Sequence, residues 1–595
     1  MRKVAWTTLI IVIIWMSTRV WLGASSASIA TFEPARSVGG WIAFAAYREG
    51  NWDIYAIRAD GTELRRLTAD PVEDRSPAWS PDGKWLAFQS RRNGNWDVYL
   101  QSLGDATTRR LTVDPGYDGA PVWSPDGRQI AFDSYRAGDL DVMLMDVDSE
   151  TRTNLTTTSS AGDFDPAWSP DGKQIAFTSW WMGDNDIFLM DVATREITQL
   201  TDSDMPEGNA SWSPDGKFLA YVQDQTDRRE VFAVELGGTS GDVGGSNRLT
   251  WFSHDDSLAW SPDGSAIAYI SHQHTNEDAE YLLVQDLIET GSAGPLFASP
   301  VLLLAEWEIE GPLSWMGHDL SAGEVVVDFR PQSGSFSPGI VAPRDFELTE
   351  PNVSNGVFTD LMDVEAPNAR LNTKFVQAFE TIRREVREES GYDFLSELSD
   401  MWRGPDAWTE SSAYLSWHKA GQAFDTLFDY RDAENHPLLE VVREDIGGET
   451  FWRIFLKAAA QDGSMGSPLK VHPWDLSGAA RRKHPQAGGT WKAIPYGYYV
   501  DISRIIRHGG WERISSIDRR DFSWRWHFLA IEYWHHQVRQ GLTWYQTMVG
   551  LYSESRAREY FDWRTLVREG EEPYNLFGNG LPIPPRYAQW KDVKP

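Results

Sequence analysis

Trp79-Ser80-Pro81-Asp82-Gly83 is the stretch that decides the fold of the first half of this 595-residue chain. The same five residues begin again at Trp123, Trp168, Trp212 and Trp260, at steps of 44, 45, 44 and 48 residues. Proline presets φ for a type I turn, and glycine gives the chain the freedom to leave it. The stretch therefore predicts one tight turn, repeated at nearly constant spacing.

A short apolar strand follows each turn, and three more strands precede the next one. Two examples of that first strand are Trp85-Leu86-Ala87-Phe88 and Ile130-Ala131-Phe132. Four short strands in about 44 residues are typical of a propeller blade. A further copy, Trp41-Ile42-Ala43-Phe44, precedes the first turn, so the sequence predicts six blades.

The end of the repeat region leaves two alternatives open. Trp315-Met316-Gly317-His318-Asp319 is a degenerate copy of the turn, 55 residues after the previous one. Beyond it, the segment Glu324–Phe329 either closes the ring with the first blade or begins a seventh blade.

The repeat resembles the TolB-type β-propeller over residues 37–330. That resemblance implies a rigid ring whose loops and central channel bind a protein or another ligand in the cell envelope. Within each repeat, we interpret the Trp as packing between blades and the Asp as forming the turn, and we expect no catalytic role for either.

Composition excludes several classes of function. The formal net charge is −32, which argues against binding to nucleic-acid phosphates. The chain has no Cys, so it has no disulfide and no cysteine-linked lipid, and any metal must bind to His and carboxylate side chains.

The N-terminus predicts export. Met1-Arg2-Lys3 precedes a nearly uncharged run from Val4 to Ser17, and residues 1–30 have the shape of a signal peptide or membrane anchor. We expect this segment to contact the membrane at least during export, and the rest of the chain to be periplasmic or extracellular. Cleavage and retention of the segment both stay open.

Blade periodicity stops at a turn-rich stretch, and residues 331–370 are predicted to be a linker. From there the pattern becomes helical, because Phe375, Phe379, Ile382 and Val386 recur at steps of four, three and four. We assign residues 371–595 to a second domain.

Two short motifs in that second domain carry chemistry. The first runs from Ser416 to Asp425 and holds His418 and Asp425; the second is Glu532-Tyr533-Trp534-His535. Two His, one Asp and a spare Glu are the parts of a hydrolytic zinc site with one open position. If residues 421–425 form a strand, the small residues beside Asp425 let other backbone approach.

The two motifs together resemble the signature of the D-alanyl-D-alanine carboxypeptidase and dipeptidase family of zinc peptidases, which is related in fold to the hedgehog domain. The resemblance implies one zinc ion bound by His418, Asp425 and His535, with Glu532 as catalytic base. Arg403 lies near the place of the family's substrate-binding Arg, although its surroundings depart from the family pattern. His536, next to His535, is the alternative ligand.

Other segments of this domain carry coarser predictions. Residues 431–498 are predicted to be an insertion, with a helix from Phe451 to Ala460. Two alternatives stay open: the insertion shapes or covers the cleft, or it obstructs it. Residues 524–529 favour a strand that bends at the second motif, and Thr543 to Tyr560 predicts an amphipathic helix.

The predicted architecture is an all-β six-bladed propeller followed by an α+β zinc-peptidase-like domain. The motif resemblance and the N-terminal segment together imply an exported D,D-carboxypeptidase-like metallopeptidase that acts on peptidoglycan stem peptides, and the propeller resemblance implies a protein partner on the propeller. The alternative is a non-catalytic envelope scaffold or cell-wall-binding protein. Retention of Glu532 favours the enzyme, because a purely structural zinc site needs no base.

Overall fold

The structure, a computed structural model, describes most of residues 39–328, 358–403 and 416–568, together with residue 581. Short gaps in these ranges fall at residues 137, 158–160, 182–184, 204, 226–227, 237–245, 251–253, 273–279, 289–295, 298–299, 321–326, 447–448, 517–522, 528–530, 539–543, 553–556 and 558–560. The predicted signal segment, residues 1–30, and residues 331–357 of the predicted linker lie outside the described residues. None of the helices in the described part of the chain has the length and apolar character of a membrane span.

Four antiparallel four-stranded sheets form blades 2 to 5, in chain order. Their strands are Asp74–Trp79, Trp85–Ser90, Asp97–Ser102 and Thr108–Arg110; Tyr117–Trp123, Gln129–Arg136, Asp139–Asp146 and Arg152–Asn154; Asp163–Trp168, Gln174–Ser179, Asp186–Asp191 and Ile197–Gln199; Glu207–Trp212, Phe218–Gln225, Arg228–Glu235 and Asn247–Arg248.

Blades 1 and 6 share one long strand, Val301–Met316, and this strand closes the ring. Its first part pairs with Glu280–Ile288 of blade 6, and its second part pairs with Trp41–Arg48 of blade 1. The other strands of these two blades are His254–Trp260, Ala266–His272 and Leu296–Phe297, and Asn51–Arg58 and Leu64–Arg66. Val327–Asp328 adds to the outer edge of blade 1. The described residues therefore form six blades. Val327–Asp328, the described part of the segment Glu324–Phe329, lies in blade 1 and does not begin a seventh blade.

The repeated turn has the structure that its sequence predicts. In the first copy, Ser80 Oγ donates to Asp82 Oδ1 at 2.7 Å, and Gly83 has a φ of +67°. The indole N–H groups of four repeat tryptophans donate to backbone carbonyls of the preceding blade at 3.1–3.2 Å; they are Trp79, Trp123, Trp212 and Trp260. These residues thus form turns and join blades.

The second domain is built on two sheets and one long helix. The site sheet has the strand order Leu398–Asp400, Ala423–Thr426, His535–Gln537 and Glu512–Arg513; the cap sheet has the order Leu439–Ile446, Glu449–Lys457, Tyr498–Asp501 and Ser467–Pro468. The long helix, Thr373–Ser390, buries Phe375, Phe379, Ile382 and Val386, as predicted. The remaining elements are the strand pairs Phe358–Asp360 with Arg370–Asn372 and Trp474–Asp475 with Thr490–Trp491, the helices Gly478–Lys483, Ile502–His508, Trp544–Tyr552 and Trp563–Arg568, and the 3-10 helices Phe394–Ser396 and Trp417–Ala420.

Two local predictions for this domain are wrong. Glu449–Lys457 is a strand, not the start of a helix, and both of its faces are largely buried. Such a continuous apolar run has no periodicity that separates a strand from a helix. Residues 524–526 form a turn, and the strand begins only at His535. The Tyr498–Asp501 strand pairs with Glu449–Lys457, so the predicted insertion shares a sheet with the rest of the domain.

The cap sheet and its loops lie on one end of the propeller. The Trp96 indole donates to the Gly466 carbonyl at 3.2 Å, and the Gly497 N–H donates to the Tyr135 hydroxyl at 2.7 Å. Lys470 forms ion pairs with Asp133 and Asp165 of the propeller. These contacts make the propeller an intramolecular support for the second domain.

A cavity of about 480 Å³ lies between the propeller and the cap sheet. Five propeller residues that line it occupy equivalent places in their blades, each three positions before the repeat Trp, and all have positive φ; they are Ser76, Ala120, Asp165, Asn209 and Ser257. Each lies where the strand register shifts, so each is a β-bulge. The repeat thus bends the first strand of each of blades 2 to 6 at the covered end of the propeller.

Candidate metal centre

The first motif folds into a 3-10 helix, Trp417–Ala420, between two residues that fix its ends. Ser416 caps it, because its Oγ accepts a hydrogen bond from the His418 N–H at 3.3 Å. Gly421 ends it with a φ of +61°, and a Cβ there would lie 2.8 Å from the Asn372 nitrogen. The glycine therefore lets another backbone segment approach, although it belongs to the turn and not to the strand.

The second motif reaches the first through the site sheet. Ala423–Thr426 is a central strand, and Asp425 lies directly opposite His535 on the neighbouring strand. Opposite residues in an antiparallel pair place their side chains on the same face. The sheet register thus brings together two residues that are 110 positions apart in sequence.

Three side chains converge at this point, and all three are buried: His418, Asp425 and His535. Asp425 Oδ1 lies 3.1 Å from His418 Nε2 and 2.8 Å from His535 Nδ1, and the two ring nitrogens are 3.2 Å apart. Zinc–ligand bonds of about 2.0–2.1 Å in a tetrahedron place ligand atoms roughly 3.3 Å apart. The donor set and its spacing therefore fit one zinc ion.

The contact that His418 Nδ1 makes favours the tautomer that can bind a metal. Its Nδ1 contacts the backbone carbonyl of Met401, which can only accept a hydrogen bond. The proton of the neutral ring therefore lies on Nδ1, and the lone pair of Nε2 points toward Asp425 and His535. Met401 was not predicted as part of the site, because a backbone acceptor leaves no side-chain signal in the sequence.

Asp425 is held as a carboxylate. Burial alone would raise its pKa, but the neighbouring His418 and His535 outweigh that effect and hold the pKa well below its usual range. An ionised carboxylate beside two imidazoles is the form that binds a divalent cation.

Glu532 lies at the turn into the last strand, and its backbone conformation is unusual. Its φ is +61°, and its carbonyl accepts a hydrogen bond from the His535 N–H at 3.1 Å. This is the bend that the sequence predicts at the second motif. The residue is 8% exposed, and burial raises the pKa of its carboxyl to about 7, with His535 opposing the rise and Asp425 adding to it. Its pKa lies where a general base is most effective.

Arg403 also lies at the site, in a fixed position. Its Nε donates to Asp400 at 2.6 Å, and its Nη2 lies 3.9 Å from Asp425 Oδ2. Its backbone N–H donates to the His418 carbonyl at 3.3 Å. A guanidinium held in this way is placed to meet a carboxylate or a developing oxyanion.

His536 is separated from the three converging side chains by the alternation of the strand. It is fully buried and packs against Phe424, with ring centroids 5.4 Å apart. Burial lowers its pKa to about 3, so the ring is neutral. The structure thus places His535, and not His536, beside Asp425.

Residues 10–159 and 111–287 match the family model described as the TolB beta propeller domain. The N-terminal half of the chain is a TolB-type β-propeller. Among solved structures, TolB from Acinetobacter baumannii is 24% identical to this chain, with a TM-score of 0.40. The match covers 46% of this chain and 66% of that TolB chain, so this chain spans less than two thirds of its length. Oligogalacturonate lyase from Vibrio parahaemolyticus is 16% identical, with a TM-score of 0.31, over 44% of this chain and 72% of its own.

These TM-scores are below 0.5, so nothing about activity follows from them. No curated protein matches the chain in sequence. The TolB-type propeller is therefore a finding about fold, and the chemistry of the second domain depends on its own residues.

Proposed function

We propose that the protein is an exported zinc metallopeptidase, similar to D,D-carboxypeptidases, that acts on peptidoglycan stem peptides. One observation carries this proposal: His418, Asp425 and His535 offer three buried ligand atoms within 3.2 Å of one another. The choice of peptide comes from the motif resemblance, and export comes from the predicted signal segment.

Each residue of the site has its own role in the proposed reaction. His418, Asp425 and His535 would hold one zinc ion, which when bound would supply Lewis acidity to a water molecule and to the scissile carbonyl. Glu532 accepts a proton from the attacking water and delivers it to the leaving amine. Arg403, fixed by Asp400, binds the substrate carboxylate or the oxyanion.

The propeller is proposed to bind a protein partner of the envelope. Its end with the bulged strands is covered by the second domain, so the opposite end, with the repeated Ser-Pro-Asp-Gly turns, is the one left for docking. The Asp side chains of these turns are half exposed, as in Asp82, Asp171 and Asp215. Each of these Asp side chains is paired with the Lys two residues later, so this end presents both charges to a partner.

The test compares the full chain with its Glu532→Gln variant. Glutamine keeps the size of the side chain but cannot act as a base, so zinc content should stay near one per chain. Release of the terminal residue from a stem peptide should be on the order of 10²–10⁴-fold slower. Glu388→Gln, at an exposed position of the long helix, is the matched control and should keep the full rate.

Three outcomes contradict parts of the proposal. Equal rates for wild type and Glu532→Gln would remove Glu532 from the mechanism. Wild-type protein without zinc, or His418→Ala with undiminished zinc, would reject the metal site. Bound zinc without release from any stem peptide would support the scaffold instead.

A further inference from the structure

His535 and His418 offer different ring nitrogens to the same point. His418 presents Nε2, whereas His535 presents Nδ1, and both face Asp425 Oδ1. A neutral imidazole can bind a metal only through the nitrogen that carries no proton. Each ring therefore needs a neighbour that holds the proton on its other nitrogen.

We propose that Gln537 is a positioning residue that selects the metal-binding tautomer of His535. The inference rests on the proposed zinc site. Gln537 lies two residues after His535 on the same strand, so both side chains share one face. Gln537 is 6% exposed, and its Oε1 lies 3.3 Å from His535 Nε2.

The oxygen and the NH₂ group of the Gln537 amide would favour opposite tautomers of His535. With its oxygen toward His535, Gln537 accepts from Nε2–H, and the lone pair of Nδ1 points toward Asp425. With its NH₂ group there instead, it would donate to Nε2 and place the ring proton on Nδ1, between His535 and Asp425. Only the first arrangement leaves Nδ1 able to bind a cation.

Hydrogen-bond partners of metal-binding histidines commonly change metal affinity 10–100-fold when they are replaced. Gln537→Met keeps the length of the side chain and removes the acceptor. Gln537→Glu keeps an acceptor and cannot donate. We therefore expect Gln537→Met to weaken zinc binding about 10–100-fold and Gln537→Glu to bind at least as tightly as wild type.

The experiment measures the dissociation constants of Zn²⁺ and Co²⁺ for the full chain by competition with a chelator, and records the visible absorption spectrum of the Co²⁺ form. Gln422→Met is the matched control, because Gln422 is also a buried glutamine beside this sheet and its Oε1 has no hydrogen-bond partner in the described part of the chain. It should leave both dissociation constants unchanged.

The outcomes separate this inference from the proposed function. Wild-type protein that binds neither metal would reject the zinc site itself. Wild-type binding with equal affinity for Gln537→Met, or an equal loss in Gln422→Met, would overturn the role of Gln537 alone. If Gln537→Met does not fold, Gln537→Glu decides: a loss of tenfold or more overturns the inference, and retained affinity with an unchanged Co²⁺ spectrum supports it.

Discussion

At the scale of single residues, Glu532 combines burial, a left-handed backbone and a raised pKa in one place. A non-glycine residue with positive φ costs free energy, and such residues concentrate where function requires a particular side-chain position. The strained turn places the Glu532 carboxyl near the His535 ring, the Asp425 carboxylate and the Arg403 guanidinium.

The raised pKa of Glu532 predicts a pH effect on the stability of the metal-free protein. The folded pKa is about 7 and the ordinary value is 4.5, so the folded state holds the proton more tightly. The free energy of unfolding should therefore fall as pH rises from 4.5 to 7, by about 3 kcal/mol from this one group. Glu532→Gln should remove that fall.

Urea unfolding of both proteins with chelator, between pH 4.5 and pH 8, checks this expectation. Above pH 7 the Glu532→Gln variant should be the more stable, by an amount that shrinks toward pH 4.5. A difference that does not change with pH would show that Glu532 ionises as an ordinary surface carboxyl does.

A site residue could be predicted only where its role leaves a pattern in the sequence. The motif spacing predicts His418, Asp425, Glu532 and His535. The structure brings the ligand atoms of His418, Asp425 and His535 together, and the role of Glu532 stays a prediction. The Met401 carbonyl and Gln537 were missed, because no pattern marks a residue whose role is to hold a proton on another ring. The sheet register that joins Asp425 to His535 also has no signal in the sequence.

At the scale of elements, the repeated turn was predicted because its structure is local. The Ser side chain, the Asp side chain and the left-handed Gly of each copy act within five residues. The strand Glu449–Lys457 was mistaken for a helix because it lies between Leu439–Ile446 and Tyr498–Asp501 in the cap sheet and is buried on both faces, so its sequence lacks the alternation of a half-exposed strand.

The contact of Lys470 with the propeller predicts that replacing this lysine lowers the stability of the fold substantially. Lys470 lies beside Asp133, which is fully buried, and beside Asp165 at a bulge of the inner strand. Lys470→Met would leave these carboxylates without a counter-charge, which typically costs about 3 kcal/mol or more. Burial already raises the pKa of Asp133 to about 7 with the lysine present.

Thermal unfolding of Lys470→Met at pH 5 and pH 8 measures this cost. The loss of stability should be greater at pH 8, where the buried carboxyl groups take up a proton less readily and carry more charge. Lys173→Met, which removes an exposed pair with Asp171, should change little and serves as the control. Equal small losses in both variants would mean that the Lys470 contact does not hold the domain to the propeller.

At the scale of the whole molecule, the second domain and the propeller are joined through charged groups that cross their interface. Arg507 reaches Glu308 of the propeller at 2.8 Å. The next residue, His508, stacks on Tyr47 of the propeller with ring centroids 3.8 Å apart. An interface that depends on ionised groups has a stability that depends on pH.

His508 determines whether this stability rises or falls with pH. Its Nδ1 lies 2.7 Å from Glu385 in the second domain, and its Nε2 lies 3.4 Å from Glu308 in the propeller. Burial alone would lower its pKa, but Glu308 and Glu385 outweigh burial and raise it from 6.5 to about 9. The protonated ring therefore stabilises the folded chain fully below about pH 6.5, and this contribution disappears as pH rises through 9.

We expect the free energy of unfolding of wild type to lose about 3 kcal/mol from this group between pH 6 and pH 10, and His508→Gln to lack that loss. Urea unfolding of the full chain at intervals across this range measures the difference. His436→Gln, at an exposed histidine paired with Asp432, should follow the wild-type curve. Parallel curves for wild type and His508→Gln would contradict the prediction, because a histidine that bridges the two domains in its charged form must stabilise them less once it loses its proton.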